Sequence, residues 1–116
     1  MLYDDPQIFI DNDDRNALRM TSSAASKACE LAADAGLLVI TVEGGRWLNP
    51  GVEAWRDCIW WGELDIHAYD AAHAANLKAA KFIVSETGIE RPGGMGTPDV
   101  FILTAKRYGL ETPRSQ

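Results

Sequence analysis

The chain has 116 residues and a formal net charge of −6, with 47% hydrophobic and 24% charged residues, the balance of one globular domain with a real core. Its longest uninterrupted apolar runs, such as Leu37–Ile40, are far too short to span a bilayer, and the acidic start MLYDDPQIFIDNDD lacks a basic-then-apolar export signal. The acidic balance disfavours direct binding to nucleic-acid phosphate and suits a basic protein partner.

Residues 1–20 carry a short β-like run, Gln7–Ile10, between acidic patches (Asp4 and Asp5, then Asp11, Asp13 and Asp14), expected as an edge strand or a mobile arm. From Ser22 to Ala35 the pattern becomes helical. Ser26, Lys27, Glu30 and Asp34 recur at helical spacing and leave Ala25, Ala28, Cys29, Leu31, Ala32 and Ala35 for a buried side. Thr21, Ser22 or Ser23 supplies the N-cap, and Gly36 stands where a left-handed C-cap belongs. Leu37–Val42 follows as a central strand. Gly44-Gly45 and Asn49-Pro50-Gly51 then break the chain, the latter with the residues of a type II turn, and Val52–Trp61 reads as a second, antiparallel strand.

A second helix is expected from an Asp70 N-cap to Gly88, with Ala74, Leu77, Ala80 or Lys81, and Val84 on one face. Ile89–Pro98 is loop by composition, Val100–Ala105 is a final strand, and 108–116 is a polar tail. The order helix–strand–strand–helix–strand predicts an α+β two-layer domain over 21–107, with two helices on one face of a small, mainly antiparallel sheet. Residues 1–20 are then an acidic extension.

Signals for catalysis are weak. His67 and His73 lack metal-ligand spacing, and His73 lacks the partners that would orient a catalytic base. Cys29 and Cys58 form no disulfide framework and read as reduced core thiols of a cytosolic protein. The glycine-rich Pro92–Pro98 lacks the Gly-Lys-Ser/Thr ending and the following helix of a phosphate loop. No enzyme, metal, cofactor or small-molecule ligand is expected, and no membrane contact.

The second strand says more. If residues 53–65 stay extended, Glu53, Trp55, Asp57, Ile59, Trp61, Glu63 and Asp65 share one face, opposite Val52, Ala54, Arg56, Cys58, Trp60, Gly62 and Leu64. Four carboxylates and two tryptophans on one face can imitate phosphates and stacked bases, as a basic nuclease cleft requires. Trp55 and Trp61 packed under a helix, with the acids at strand ends, is the structural alternative.

The run KACELAADAGLLVITVEGGRWLNPG, Lys27 to Gly51, resembles the immunity proteins of colicin E-five, a tRNA-anticodon nuclease. The family's Gly-Gly-x-Trp-Leu-Asn-Pro-Gly turn corresponds to Gly44, Gly45, Arg46, Trp47, Leu48, Asn49, Pro50 and Gly51, with Arg46 at the variable position. The helix Asn76–Ile83 and the strand Val100–Lys106 match in order, so the resemblance spans roughly 22–107. It implies an inhibitor that blocks a tRNA-cleaving toxin by mimicking its substrate. The residues expected to touch such a partner are Trp47, Asn49, Glu53, Trp55, Asp57, Trp61, Glu63 and Asp65, with Trp47 equally able to pin the turn to the core. Arg46, facing a cationic cleft, is expected to point away or to pair with Glu43 or Glu53. An acidic phage-encoded inhibitor of another nucleic-acid-handling machine, or a small enzyme using His73, Cys58 or the Gly93-Gly94 loop, are the alternatives.

Overall fold

The computed structural model describes residues 1–109. Three strands, β1 (Leu37–Trp47), β2 (Val52–Trp61) and β3 (Val100–Arg107), form an antiparallel sheet in the order β2-β1-β3. Helices α2 (Ser22–Ala32) and α3 (Tyr69–Thr87) pack side by side on one face of it, the α+β two-layer architecture read from the sequence. The polar tail expected over 108–116 lies, from residue 110 on, outside the described residues.

The helix layer sits close because its inner face is built of small side chains. Ala24, Ala25, Ala28, Cys29 and Ala32 of α2 meet Ala79, Ala80 and Ile83 of α3 over Val42, Phe101 and Leu103 of the sheet, all of them buried. Thr21 caps α2, its hydroxyl accepting from the Ala24 N–H at 3.2 Å, and Gly36 takes the left-handed conformation (φ 81°) that ends a closing 3-10 turn, Ala33–Ala35.

The amino-terminal run is helical rather than β. Asp5 accepts from the Gln7 N–H at 2.9 Å and Pro6 occupies the first turn of α1 (Pro6–Asp11), a capped start that outweighs the strand-like look of a short apolar run. Phe9, Leu18 and Met20 are buried in the same core as α2 and α3. The segment also closes the outer edge of β3. Met20 exchanges backbone hydrogen bonds with Phe101 at 3.0 and 2.8 Å, while the Asn16 amide bonds both the N–H and the carbonyl of Ala105. With its groups at Phe101 and Ala105 taken, this edge is a poorer template for pairing with another chain.

In α3 the buried face is Ala72, Asn76, Ala79, Ala80 and Ile83, not the stripe through Ala74 and Val84; Val84 is exposed. The helix starts at Tyr69 with no side-chain cap, so Asp70 lies in its first turn instead of at the N-cap. Asn76 explains the misreading, because a polar residue on an alanine-rich helix looks solvent-facing. It is fully buried, and its amide takes the place of strand β2 where β2 has run out: Oδ1 accepts from Val39 N–H at 2.8 Å and Nδ2 donates to the Leu37 carbonyl at 3.0 Å.

The loop between β1 and β2 is tighter than expected. Gly44 and Gly45 are not turn residues; they lie in β1, where a Cβ on Gly44 would stand 2.5 Å from Cys58 Sγ and 2.7 Å from Phe101 Cε1, and one on Gly45 would strike the Glu53 carbonyl. The reversal itself is Leu48–Gly51, closed by Leu48 N–H to the Gly51 carbonyl at 2.7 Å, with Asn49 at φ 44° and a cis Asn49–Pro50 peptide. This replaces the type II turn that Pro50-Gly51 suggested.

Candidate partner-binding surface

The strand β2 does not alternate from end to end. Its pairing with β1 runs Glu43↔Ile59 and then Gly45↔Ala54, so extra β2 residues bulge outward between the two pairs. The bulge reverses the phase of the strand. Trp55 on one side of it and Cys58 on the other both turn toward the helices and are buried, Arg56 and Asp57 are both exposed, and Ile59 and Trp61 come out on the opposite face. The single acidic–aromatic face expected from strict alternation is therefore split, and Trp55 and Trp61 lie on different sides of the sheet. Beyond Trp61 the strand ends, Gly62 N–H bonding the Ile40 carbonyl at 2.8 Å, so Glu63 and Asp65 are carried on a loop rather than on the strand.

Trp55 is only 5% exposed. Its indole N–H donates to Glu53 at 3.1 Å, and the Arg91 guanidinium lies 5.1 Å from its ring centroid. Arg91 belongs to the Ile89–Pro98 loop and is itself buried. It donates to Glu86 at 2.5 Å and to the Ile89 carbonyl at 3.0 Å, and its Nε stands 3.5 Å from Asp57 without hydrogen-bond geometry. Burial opposes the guanidinium's charge, but Glu86, Cys58 and Asp57 around it raise its pKa, so it stays an arginium that ties loop, helix and bulge together. The loop's own closure is Arg91 N–H to the Gly96 carbonyl at 2.9 Å, with Gly93, Gly94 and Gly96 at positive φ and open space where their side chains would be. Strand β3 follows it, so no helix N-terminus completes a phosphate cradle.

The other candidates fall into two groups. At the β1–β2 reversal, Asn49 is exposed and Trp47 is half-buried, its backbone N–H held by the Asp99 carboxylate at 2.8 Å. Glu53 stands nearby and carries an ion pair with Arg46 at 3.2 Å, one of the two pairings expected for that arginine. At the opposite end of the sheet, Trp61 is 73% exposed, and Glu63 and Asp65 follow it into solvent; Asp65 meets His67 at 2.8 Å.

Neither cysteine is poised for chemistry. Burial, seconded by Glu30, pushes the Cys29 thiol up to about 12, and burial with Glu86 pushes Cys58 up to about 11, so both are protonated at neutral pH. His73 stacks on Tyr69 with ring centroids 5.7 Å apart, and Tyr69 donates to Asp34 at 2.8 Å, which raises the phenol's pKa. Among the described residues no group of three or more His, Cys, Asp or Glu side chains is placed to hold a metal ion, and no helix is long and apolar enough to cross a membrane.

Sequence reasoning missed Asn76 and Arg91, because each is a polar residue whose burial is decided by distant chain. It also passed over Glu43, which alternation within β1 could have placed: Val42 and Gly44 point to the helices, and Thr41 and Glu43 do not.

No protein-family model matches the chain. The immunity protein CdiI of Burkholderia pseudomallei is 36% identical to it over 103 residues, covering 89% of this chain and 87% of that protein. The immunity character implied by the Gly44–Gly51 resemblance is what this relative supports, at the level of the broader class. On a match of this extent and identity, the chain belongs to the family of CdiI immunity proteins.

Proposed function

We propose that the chain is a non-enzymatic cytoplasmic inhibitor that neutralises a protein toxin by binding it, and that the toxin is a basic, RNA-cleaving nuclease whose cleft it fills as a nucleic-acid mimic. The observation that carries this reading is the exposed Trp61 with Glu63 and Asp65 beside it, on a chain of net charge −6. Carboxylates meet the lysines and arginines that would hold phosphates, and the indole fills a pocket that would take a base. A large exposed tryptophan is also the residue type most often found at interface hot spots, and opposite net charges speed the encounter. Trp47 and Asn49 at the reversal, and Glu53 and Asp57 at the bulge, offer further contacts, and Trp55 supports the bulge from beneath. The tRNA target rests on the resemblance to the colicin E-five inhibitors.

The test uses candidate basic ribonuclease toxin domains, titrated with the purified protein at low and high salt while tRNA cleavage is followed. Stoichiometric inhibition that weakens with salt, and a Trp61→Ala loss of about 2 kcal/mol, roughly 30-fold, are expected. Intact tRNA at every inhibitor concentration would remove the nuclease from the proposal. Unchanged binding after substitution of Trp61, Glu63 and Asp65 together would remove the site.

A further inference from the structure

Among the described residues, one face of the sheet carries no helix. The helices α2 and α3 share their core with Val42, Phe101 and Leu103, and the residues between these point the other way. Register fixes which they are. Thr41 stands opposite Trp61 on one side and Thr104 on the other, and Glu43 stands opposite Ile59 and Ile102. These six side chains make two adjacent rows across all three strands on one face. Two residues further on is Gly45 and then Trp47, so β1 brings Trp47 to the same face. Trp47 and Trp61, separated by the strand reversal and by the bulge, thus flank one surface about 20 Å apart, at 3.3 Å per residue from Thr41 to Trp47. Val100, opposite Gly45, is buried here and yet belongs to neither core cluster beneath the helices.

We infer that this helix-free face, floored by Ile59 and Ile102 with Glu43 at its centre, is the docking surface for the basic toxin domain; the inference rests on the inhibitor reading and says which part of the molecule executes it. Charge complementarity names the occupant. Glu43 is exposed and is the one ionisable side chain among the six, and Glu63 and Asp65 extend from the Trp61 end. A half-apolar surface with a central acid and an acidic rim fits a partner that offers lysine or arginine around apolar anchors. A second copy of this chain fits badly, because a two-fold packing of the two faces would set Glu43 near its own mate in a desolvated centre. The helix layer has no such net acidity, since Lys27, Lys78 and Lys81 of α2 and α3 offset Glu30, Asp70 and Glu86 of the same helices.

Three variants, checked for native circular dichroism, test the face against the basic toxin domain that the unmodified protein binds. Glu43→Lys reverses the central charge on an exposed site; Ile102→Ser removes an apolar floor contact; Glu30→Lys makes the same charge change as the first on the helix layer. Docking on the sheet face requires Glu43→Lys and Ile102→Ser each to weaken binding by at least 30-fold while Glu30→Lys changes it by less than threefold. If Ile102→Ser unfolds, Glu43→Lys against Glu30→Lys decides. Equal losses for the two charge reversals would reduce the effect to net charge and overturn the face. Full binding by both face variants, with toxin still inhibited, would overturn the face and leave the inhibitor reading standing. Absence of binding by the unmodified protein to any candidate toxin domain would overturn both readings, and a dimer abolished by Ile102→Ser would assign the face to a second copy.

Discussion

The buried amide of Asn76 gives the most direct handle on what holds the two layers together. Asn76→Leu keeps a similar volume but leaves Val39 N–H and the Leu37 carbonyl without partners in a site that has no access to water. Each orphaned backbone group costs about 1–3 kcal/mol, so the pair should lose about 2–6 kcal/mol, against a total stability on the order of 5–15 kcal/mol for a domain. Asn76→Asp refines the test, because it removes one donor while keeping the shape. A protonated carboxyl can still accept from Val39 and donate to Leu37, whereas an ionised one would face the Leu37 carbonyl with a buried charge. The introduced acid must therefore have a folded pKa above its unfolded value near 4, and its contribution is intact at low pH and lost as pH rises through the folded pKa. Where only the unfolded chain is ionised, stability should fall by about 1.4 kcal/mol per pH unit, or about 3 kcal/mol between pH 5.5 and 8. Urea denaturation of the wild type and both variants at those two pH values reads this out. The Leu variant should show a loss independent of pH and the Asp variant one that grows with it. A cost below 1 kcal/mol for Asn76→Leu, or a flat pH profile for Asn76→Asp, would refute the assignment of Asn76 as the partner of β1.

Removing the buried cation of the loop should be as costly. Arg91→Met leaves Glu86 half of a broken pair and uncovers Trp55, with an expected loss of about 3–5 kcal/mol that Arg91→Met with Glu86→Gln partly restores, as a double-mutant cycle in urea would measure. The thiols set a basic limit on stability. Because folded Cys29 and Cys58 hold their protons to about 12 and about 11, only the unfolded chain ionises them above pH 9. Stability is full below that pH and should fall by about 2.7 kcal/mol per unit between pH 9 and 11, a slope that Cys29→Ala with Cys58→Ala should abolish.

Where local chemistry decides, the sequence and the structure agree. Thr21 and Gly36 bound α2 because an N-cap acceptor and a left-handed glycine act within a few residues, and β3 forms because VFILTA has one reading in either layer. The Asp5-Pro6 start of α1 was equally local, and lost only to the apolar run behind it. Features that depend on what lies across the sheet were not readable. Asn76 is polar for the sake of a strand edge that stops at Trp61, and the bulge in β2 lies opposite Gly44, whose missing side chain leaves room for Cys58 and Phe101. That bulge matters most for function. Strict alternation pairs Trp61 with Trp55; the bulge sends Trp55 into the core under Arg91 and turns Trp61 out beside Glu43, on the face that also receives Trp47. The tryptophan of the Gly44–Gly51 motif and the tryptophan at the end of β2 thus meet on one surface only in three dimensions. The motif's two strand glycines flank this geometry: at Gly45 a side chain would strike the backbone of Glu53, so the close approach of β1 and β2 beside the bulge requires glycine. A Gly45→Ala change should accordingly disturb both the fold and the placement of Trp61, coupling the most recognisable stretch of sequence to the surface it frames.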